Sequence, residues 1–296
     1  MPAFADCHLH LYPETVARDP KAWAETHGEA HWWQLKQSPR QGWQDAPAAD
    51  ALLAALGGTG VVQGWYWQTP AAARAQIEWT RAWMAATPAR LCFCAPLVPD
   101  PTEALPAAQA AKTAGFVGLG EVFPAAQGFA MHAPWWLEVC AWAEAADFPI
   151  LLHVPEAAGA DYPGRIGADL MDYVGLAEQF PRLRLIFAHW GGGLPFFLHH
   201  RRVRRALANV WFDSAASPLL YDAGVWRTVA HLAGPQKLLY GSDWPLACDR
   251  PRGSGWALDS LLRELDQSGL DADAQARMRE GNLAEFFPDW VPTGAP

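Results

Sequence analysis

The sequence predicts a TIM-type (β/α)8 barrel folded as a single domain, and three observations predict it. Apolar, often β-branched runs recur along the whole length, separated by alanine-rich segments of helical spacing, which is the pattern of βα units around a parallel sheet. Eight such alternations fit into 296 residues, against about 250 for an ordinary α/β barrel. Five of the runs end in His, Glu or Asp, where the carboxyl ends of barrel strands would meet and loops would build a site. A doubly wound open sheet is the lesser alternative.

The expected strands are 4–11, 60–67, 91–98, 115–122, 149–154, 184–190, 210–215 and 238–243. In the first, Asp6, His8 and His10 share one face by strand alternation while Cys7, Leu9 and Leu11 share the other. Asp45 caps the first inter-strand helix, with Pro47 in its first turn and Leu52, Leu53 and Leu56 on one face before Gly57-Gly58 ends it. Helices over 70–86, 101–113, 135–146, 166–179, 195–207, 222–233 and 255–267 follow the same logic. A last helix over 272–286, followed by a tail to 296, is expected against the outside of the barrel. No repeat or low-complexity linker divides residues 1–296. Residues 12–44 are too long for a simple βα loop and carry Trp23, Trp32, Trp33 and Trp43, so they are read as a lid.

Composition narrows the function. A hydrophobic content of 51% with 18% charged residues describes a folded, enzyme-like chain rather than a disordered one. The net charge of -9 argues against nucleic acid or an anionic membrane as partner, and leaves a small molecule, with a homo-oligomer allowed. No apolar window reaches the length of a membrane span. Five scattered cysteines and a start without a basic or apolar leader region fit reduced thiols in the cytoplasm.

The strand ends carry the chemistry. His8 and His10 lie in the first strand, Glu121 ends the fourth, His153 the fifth, His189 the sixth and Asp243 the eighth. Imidazole is the commonest biological metal ligand, and two of them one strand repeat apart suit a Zn or Mn type of cation.

His-x-His on the first strand, histidines ending the fifth and sixth and an aspartate ending the eighth resemble the amidohydrolase superfamily of metal-dependent hydrolases, from Asp6 to about Phe287. The runs Ala188-His189-Trp190-Gly191-Gly192-Gly193 and Tyr240-Gly241-Ser242-Asp243-Trp244-Pro245, with Gly281-Asn282-Leu283, are similar to the branch that also contains aminocarboxymuconate-semialdehyde decarboxylase and several lactonases. The resemblance implies that His8, His10 and His153 ligate a divalent ion, Zn before Mn, which lowers the pKa of water held there. It makes Asp243 a ligand and the general base, and His189 a polariser of the substrate carbonyl or a ligand of a second ion. Many relatives carry a carboxylated lysine on strand four; here that strand offers Glu121 in a Gly-Glu-Val context similar to the metal-bridging glutamate of the deoxyribonuclease branch. One ion is favoured over two, with a metal-free site as the remaining case.

Substrate contacts are expected from Trp33, Trp65, Trp67, Trp190 and Trp244 as aromatic walls, and from Arg165 and Arg250 as forks for a carboxylate. The expectation is a metal-dependent hydrolase of a small ester, lactone or amide. The alternative is a non-oxidative decarboxylase of an aromatic or unsaturated acid.

Overall fold

The alternation of apolar strand and alanine-rich helix produces eight parallel strands paired in sequence order: β1 (Phe4–Leu9), β2 (Gly58–Val62), β3 (Leu91–Ala95), β4 (Gly118–Val122), β5 (Ile150–Leu152), β6 (Leu185–Phe187), β7 (Val210–Asp213) and β8 (Leu238–Leu239). The computed structural model describes residues 3–86, 90–247 and 260–288. Between β8 and β1 the barrel is drawn together by single backbone bonds, Cys7 N–H to Tyr240 O, Asp243 N–H to His8 O and His10 N–H to Trp244 O, each 2.9 Å. Helices fill the outer ring, as in a TIM barrel.

Alternation sorts the strands into two layers. Val61, Cys92, Leu151, Ile186 and Leu239 pack with one another inside the barrel, while their neighbours Val62, Phe93, Leu152, Phe187 and Leu238 face the helices. In β1 the expected alternation fails. Pairing runs Asp6 to Gly60 but Leu9 to Val62, so β1 holds one residue more than β2 across this interval. Such a bulge re-aims side chains, and Cys7 joins the interior cluster whereas Leu9 joins the outer one.

Three other expectations change. The second strand stops at Val62 rather than 67, because the Trp65 N–H is taken by Gln76 Oε1 at 2.8 Å instead of a neighbouring strand. The helix expected over 195–207 divides into a 3-10 turn, Leu194–Phe197, and a helix, Arg201–Ala206, since His200 is extended at φ -74°, ψ 120°. The last helix is also divided, with a π turn at Arg277–Gly281 whose Met278 carbonyl accepts the Tyr240 N–H at 3.0 Å. Its final turn does not lie outside. Leu283, Phe286 and Phe287 pack with Ala5, Val61, Cys92, Leu151, Ile186 and Leu239, residues of six strands, and close the amino-terminal mouth of the barrel. Residues 255–259 and the tail from 289 lie outside the described residues.

The long segment after β1 forms three short helices, Glu14–Arg18, Pro20–His27 and Ala30–Lys36. They are seated on the carboxyl-end loops through Tyr12, Val16, Ala24 and Trp32, which pack with Trp65, Tyr66, Trp67, Val98 and Phe123. Glu29, 1% exposed, fixes the far side by accepting from Thr69 N–H and Oγ1, both at 2.9 Å. Among the described residues no helix is long and apolar enough to cross a membrane.

If the last helix closes the barrel floor, Phe286→Ala removes a fully packed ring and should cost about 3–5 kcal/mol, read as a lower urea midpoint. An unchanged midpoint would place this helix outside the core.

Candidate metal centre

The site is built on the bulged end of β1. The bulge turns both His8 and His10 toward the carboxyl mouth, and their Nε2 atoms stand 3.1 Å apart. His8 Nδ1 lies 2.8 Å from Asp213 Oδ2, at the end of β7, and both residues are fully buried. A carboxylate there takes the Nδ1–H, so the lone pair of Nε2 faces the site. Asp213 Oδ1 also accepts from the backbone N–H of His189 at 2.8 Å and of Ala215 at 3.0 Å. One carboxylate therefore positions two of the expected site histidines.

His189 is placed by an unusual backbone. It and Trp190 have φ of 58° and 54°, the left-handed region, and Gly191, Gly192 and Gly193 follow with positive φ. Glycine tolerates that region and histidine does not favour it, a combination found where a side chain must be aimed. His189 Nδ1 donates to Ala215 O at 3.0 Å, leaving Nε2 3.3 Å from Glu121 Oε1. Asp243 is left-handed too, at φ 62°, with Oδ1 3.8 Å from His10 Nε2. Beneath it Asp6, absent from the expected site, accepts from the Ser242 and His8 N–H groups, both at 3.0 Å, and ties the β8 end to β1. Burial pushes the Asp6 carboxyl up to about 7, against the hydrogen bonds from Ser242 and His8.

Glu121 lies at the centre. Its carboxylate is 2.7 Å from His153 Nδ1, 3.3 Å from His189 Nε2, 3.4 Å from His10 Nε2 and 3.8 Å from His8 Nε2. Burial alone would raise its pKa, but the charges of His153 and His8 and the bonds from His10 and His153 hold it well below the usual carboxylate range. For His8, burial opposes protonation, yet Asp213 and Glu121 lift it to about 10; Glu121 lifts His189 to about 9 against the same opposition. Burial pulls His10 and His153 down.

These donors fit a divalent ion. His8, His10 and Asp243 offer ligand atoms within 4.8 Å of one another, as do His8, Glu121 and His189. With its Nδ1 committed to Asp213, His8 has one lone pair, and the two triads share it. The buried Nδ1 of His10 has no hydrogen-bond partner. Acceptor nitrogens 3.1 Å apart require a cation or a proton between them.

The aromatic wall differs from the expected one. Trp67 is fully buried with Nε1 on Gln76 Oε1, and Trp190 is fully buried with Nε1 on Ser217 Oγ at 2.9 Å, so both are core residues. Trp33 is half-buried on the edge of the cluster around Trp32 and Trp67, and Trp244 is buried over β1. The rings beside His10 and His153 are Trp65, 5.0 Å from His10, and Tyr66 and Phe123, 5.2 and 4.5 Å from His153. Arg165 is engaged with Asp161 Oδ1 at 3.0 Å and Glu156 O at 2.9 Å. Arg250 lies outside the described residues. Sequence reasoning missed Asp213, Asp6, Tyr66, Phe123 and Lys36, whose ammonium lies 3.9 Å from the centre of the Trp65 ring.

The family model described as Amidohydrolase matches residues 5–288. The chain is 26% identical over 149 residues to 6-methylsalicylic acid decarboxylase of Penicillium expansum, 43% of this chain and 42% of that one. It is 27% identical over 135 residues to L-fucono-1,5-lactonase of Burkholderia ambifaria, 40% and 46% of the two chains. The matched stretches thus span less than half the length of either curated relative. Among solved structures it is similar to a dihydroxybenzoic acid decarboxylase from Polaromonas with bound manganese and the inhibitor 2-nitroresorcinol, at TM-score 0.70 and 15% identity over 97% of both chains.

Because Asp213 fixes the His8 tautomer, Asp213→Asn should weaken divalent metal binding about 10- to 100-fold with the fold retained. Competition against a chelating indicator measures this, with circular dichroism as the control; unchanged affinity would remove Asp213 from the site.

Proposed function

The chain belongs to the amidohydrolase family, and from that premise and the geometry of its site we propose that it is a metal-dependent hydrolase of a small organic ester, lactone or amide. Glu121 carries this reading. Its carboxylate, held well below the usual range, stands beside His8 and His10, so an ion held with Asp243 as a ligand would have a second acid group next to it and much of its charge offset. Such a centre would attract a substrate carboxylate only weakly, whereas decarboxylation at the metal requires that the carboxylate bind there. A neutral carbonyl meets no such obstacle.

His8, His10, His153 and Asp243 would hold the ion, with Glu121 and His189 beside it. The single free lone pair of His8 supports one ion rather than two. Zn suits the imidazole-rich set, and Mn is the ion in the Polaromonas structure. When bound, the ion supplies Lewis acidity that brings the pKa of water near neutrality. Asp243, 13% exposed at the mouth, takes the proton from the water and returns it to the leaving group. His189, fixed by Ala215 O and the Asp213 bond to its backbone, would donate its Nε2–H to the substrate carbonyl in the protonated form that Glu121 favours. Trp65, Tyr66 and Phe123 exclude water from one side.

A second reading, decarboxylation of an aromatic acid, is favoured by the same three rings, which suit a flat substrate. Product analysis in H2(18)O separates the two. Hydrolysis places one labelled oxygen in the product and Asp243→Asn lowers kcat about 10²- to 10⁴-fold while metal content stays at wild-type level. Release of CO2 without label uptake would overturn the hydrolase reading.

A further inference from the structure

We propose that Lys36 is the substrate-binding cation of this site, holding a carboxylate that lies on the substrate away from the bond being broken. The proposal deepens the hydrolase reading and rests on it for one point, that this carboxylate is kept rather than expelled.

Lys36 ends the helix Ala30–Lys36, and its side chain turns inward to 7% exposure. Its Nζ sits 3.9 Å from the centre of the Trp65 ring and 4.9 Å from that of Tyr12. Among the described residues no carboxylate lies within ion-pair distance of it, and no hydrogen bond to it is formed. A lysine buried to this degree is ordinarily paired. Aromatic faces offset part of the lost hydration, but they occupy none of its three N–H donors. Burial pulls the amine down to about 7, while Asp243 and Glu121 pull it up, so the group lies in the field of both site carboxylates.

Position gives the cation its role. The Trp65 ring that carries Nζ also stands 5.0 Å from the ring of His10. Lys36 and the metal ligands therefore lie one indole apart, the reach of a small organic molecule. Arg165, one of the two cations expected near the mouth, is held by Asp161 and the Glu156 carbonyl. A carboxylate on Lys36 completes the donors that the protein leaves open, and it stays clear of Glu121 and Asp243, which repel it. The substrate's carbonyl then points down to the ion.

Binding tests this without knowledge of the substrate. Zinc-loaded wild type, Lys36→Gln and Lys36→Arg, and metal-free His8→Ala, are titrated with benzoate, phenylacetate and the two corresponding amides, using tryptophan fluorescence, to which Trp65 contributes. At least one acid should bind wild type about tenfold or more tightly than its amide. That preference should vanish in Lys36→Gln, persist in Lys36→Arg and persist in His8→Ala, with thermal melts showing all four proteins folded. Three results overturn the proposal: a preference that survives Lys36→Gln, a preference lost in His8→Ala instead, or no binding of either acid by wild type. The second would put the carboxylate at the metal and support decarboxylation. Release of CO2 from a substrate, with the Lys36 pattern as expected, would overturn the hydrolase reading and leave the cation's role standing.

Discussion

The bond between His8 Nδ1 and Asp213 decides what the rest of the mouth can be. With the Nδ1–H committed to a buried carboxylate at 2.8 Å, Nε2 becomes an acceptor directed at His10 Nε2, 3.1 Å away. Two lone pairs so placed repel unless a cation or proton separates them. The same carboxylate holds the backbone of His189, which in turn sets the Nε2 of that ring against Glu121. A single aspartate at the end of β7 thereby links β1, β6 and β4. Removing it disturbs three strand ends, and no other carboxylate among the described residues contacts His8 Nδ1.

The barrel accommodates this cluster by giving up regularity at its upper rim. β1 takes an extra residue, β8 keeps only two in ladder pairing, and His189 and Asp243 adopt left-handed backbone. Asp6 is buried with one carboxylate oxygen unsatisfied, an unfavourable arrangement by about 1–3 kcal/mol. Local rules fail where function is concentrated and hold elsewhere. At the opposite end the rules are kept: the interior layer is apolar, and Leu283, Phe286 and Phe287 complete it. Stability is assembled at the floor, and chemistry at the rim.

The fold and the gathering of His, Glu and Asp at the strand ends were legible because period and placement both speak in the sequence. Apolar runs of strand length recur, and a histidine after Ile150-Leu151-Leu152 or Leu185-Ile186-Phe187-Ala188 departs from its surroundings. Asp213 follows Val210-Trp211-Phe212 in the same way, yet a lone acid after a strand is a common turn residue, and only the proximity of β7 to β1 gives it a partner. Lys36 was illegible for a related reason. Its neighbours Trp33 and Leu35 describe an ordinary amphipathic turn, and the tertiary seat on Trp65 makes the ammonium unusual. Seventeen tryptophans offered no way to tell wall from core. Trp67 and Trp190 have buried N–H groups with side-chain acceptors, Gln76 and Ser217, that are 9 and 27 residues distant. The last helix was misplaced because Leu283, Phe286 and Phe287 present an apolar face equally suited to a barrel's side or its floor.

Charge gives the pocket a direction. Its lower wall holds Glu121, kept ionised by the imidazoles around it, and Asp243; its upper wall holds Lys36 on an aromatic shelf. A molecule with an anionic end and an electrophilic carbonyl is oriented by this field before any contact with a metal ligand, and the opposite orientation brings like charges together in a poorly hydrated space. Lys36 ends the helix Ala30–Lys36, and its burial without a counter-ion weakens the seat of that helix on Trp65 and Tyr12. An anion that pairs with it restores the balance and, by mass action, stabilises the packed helix.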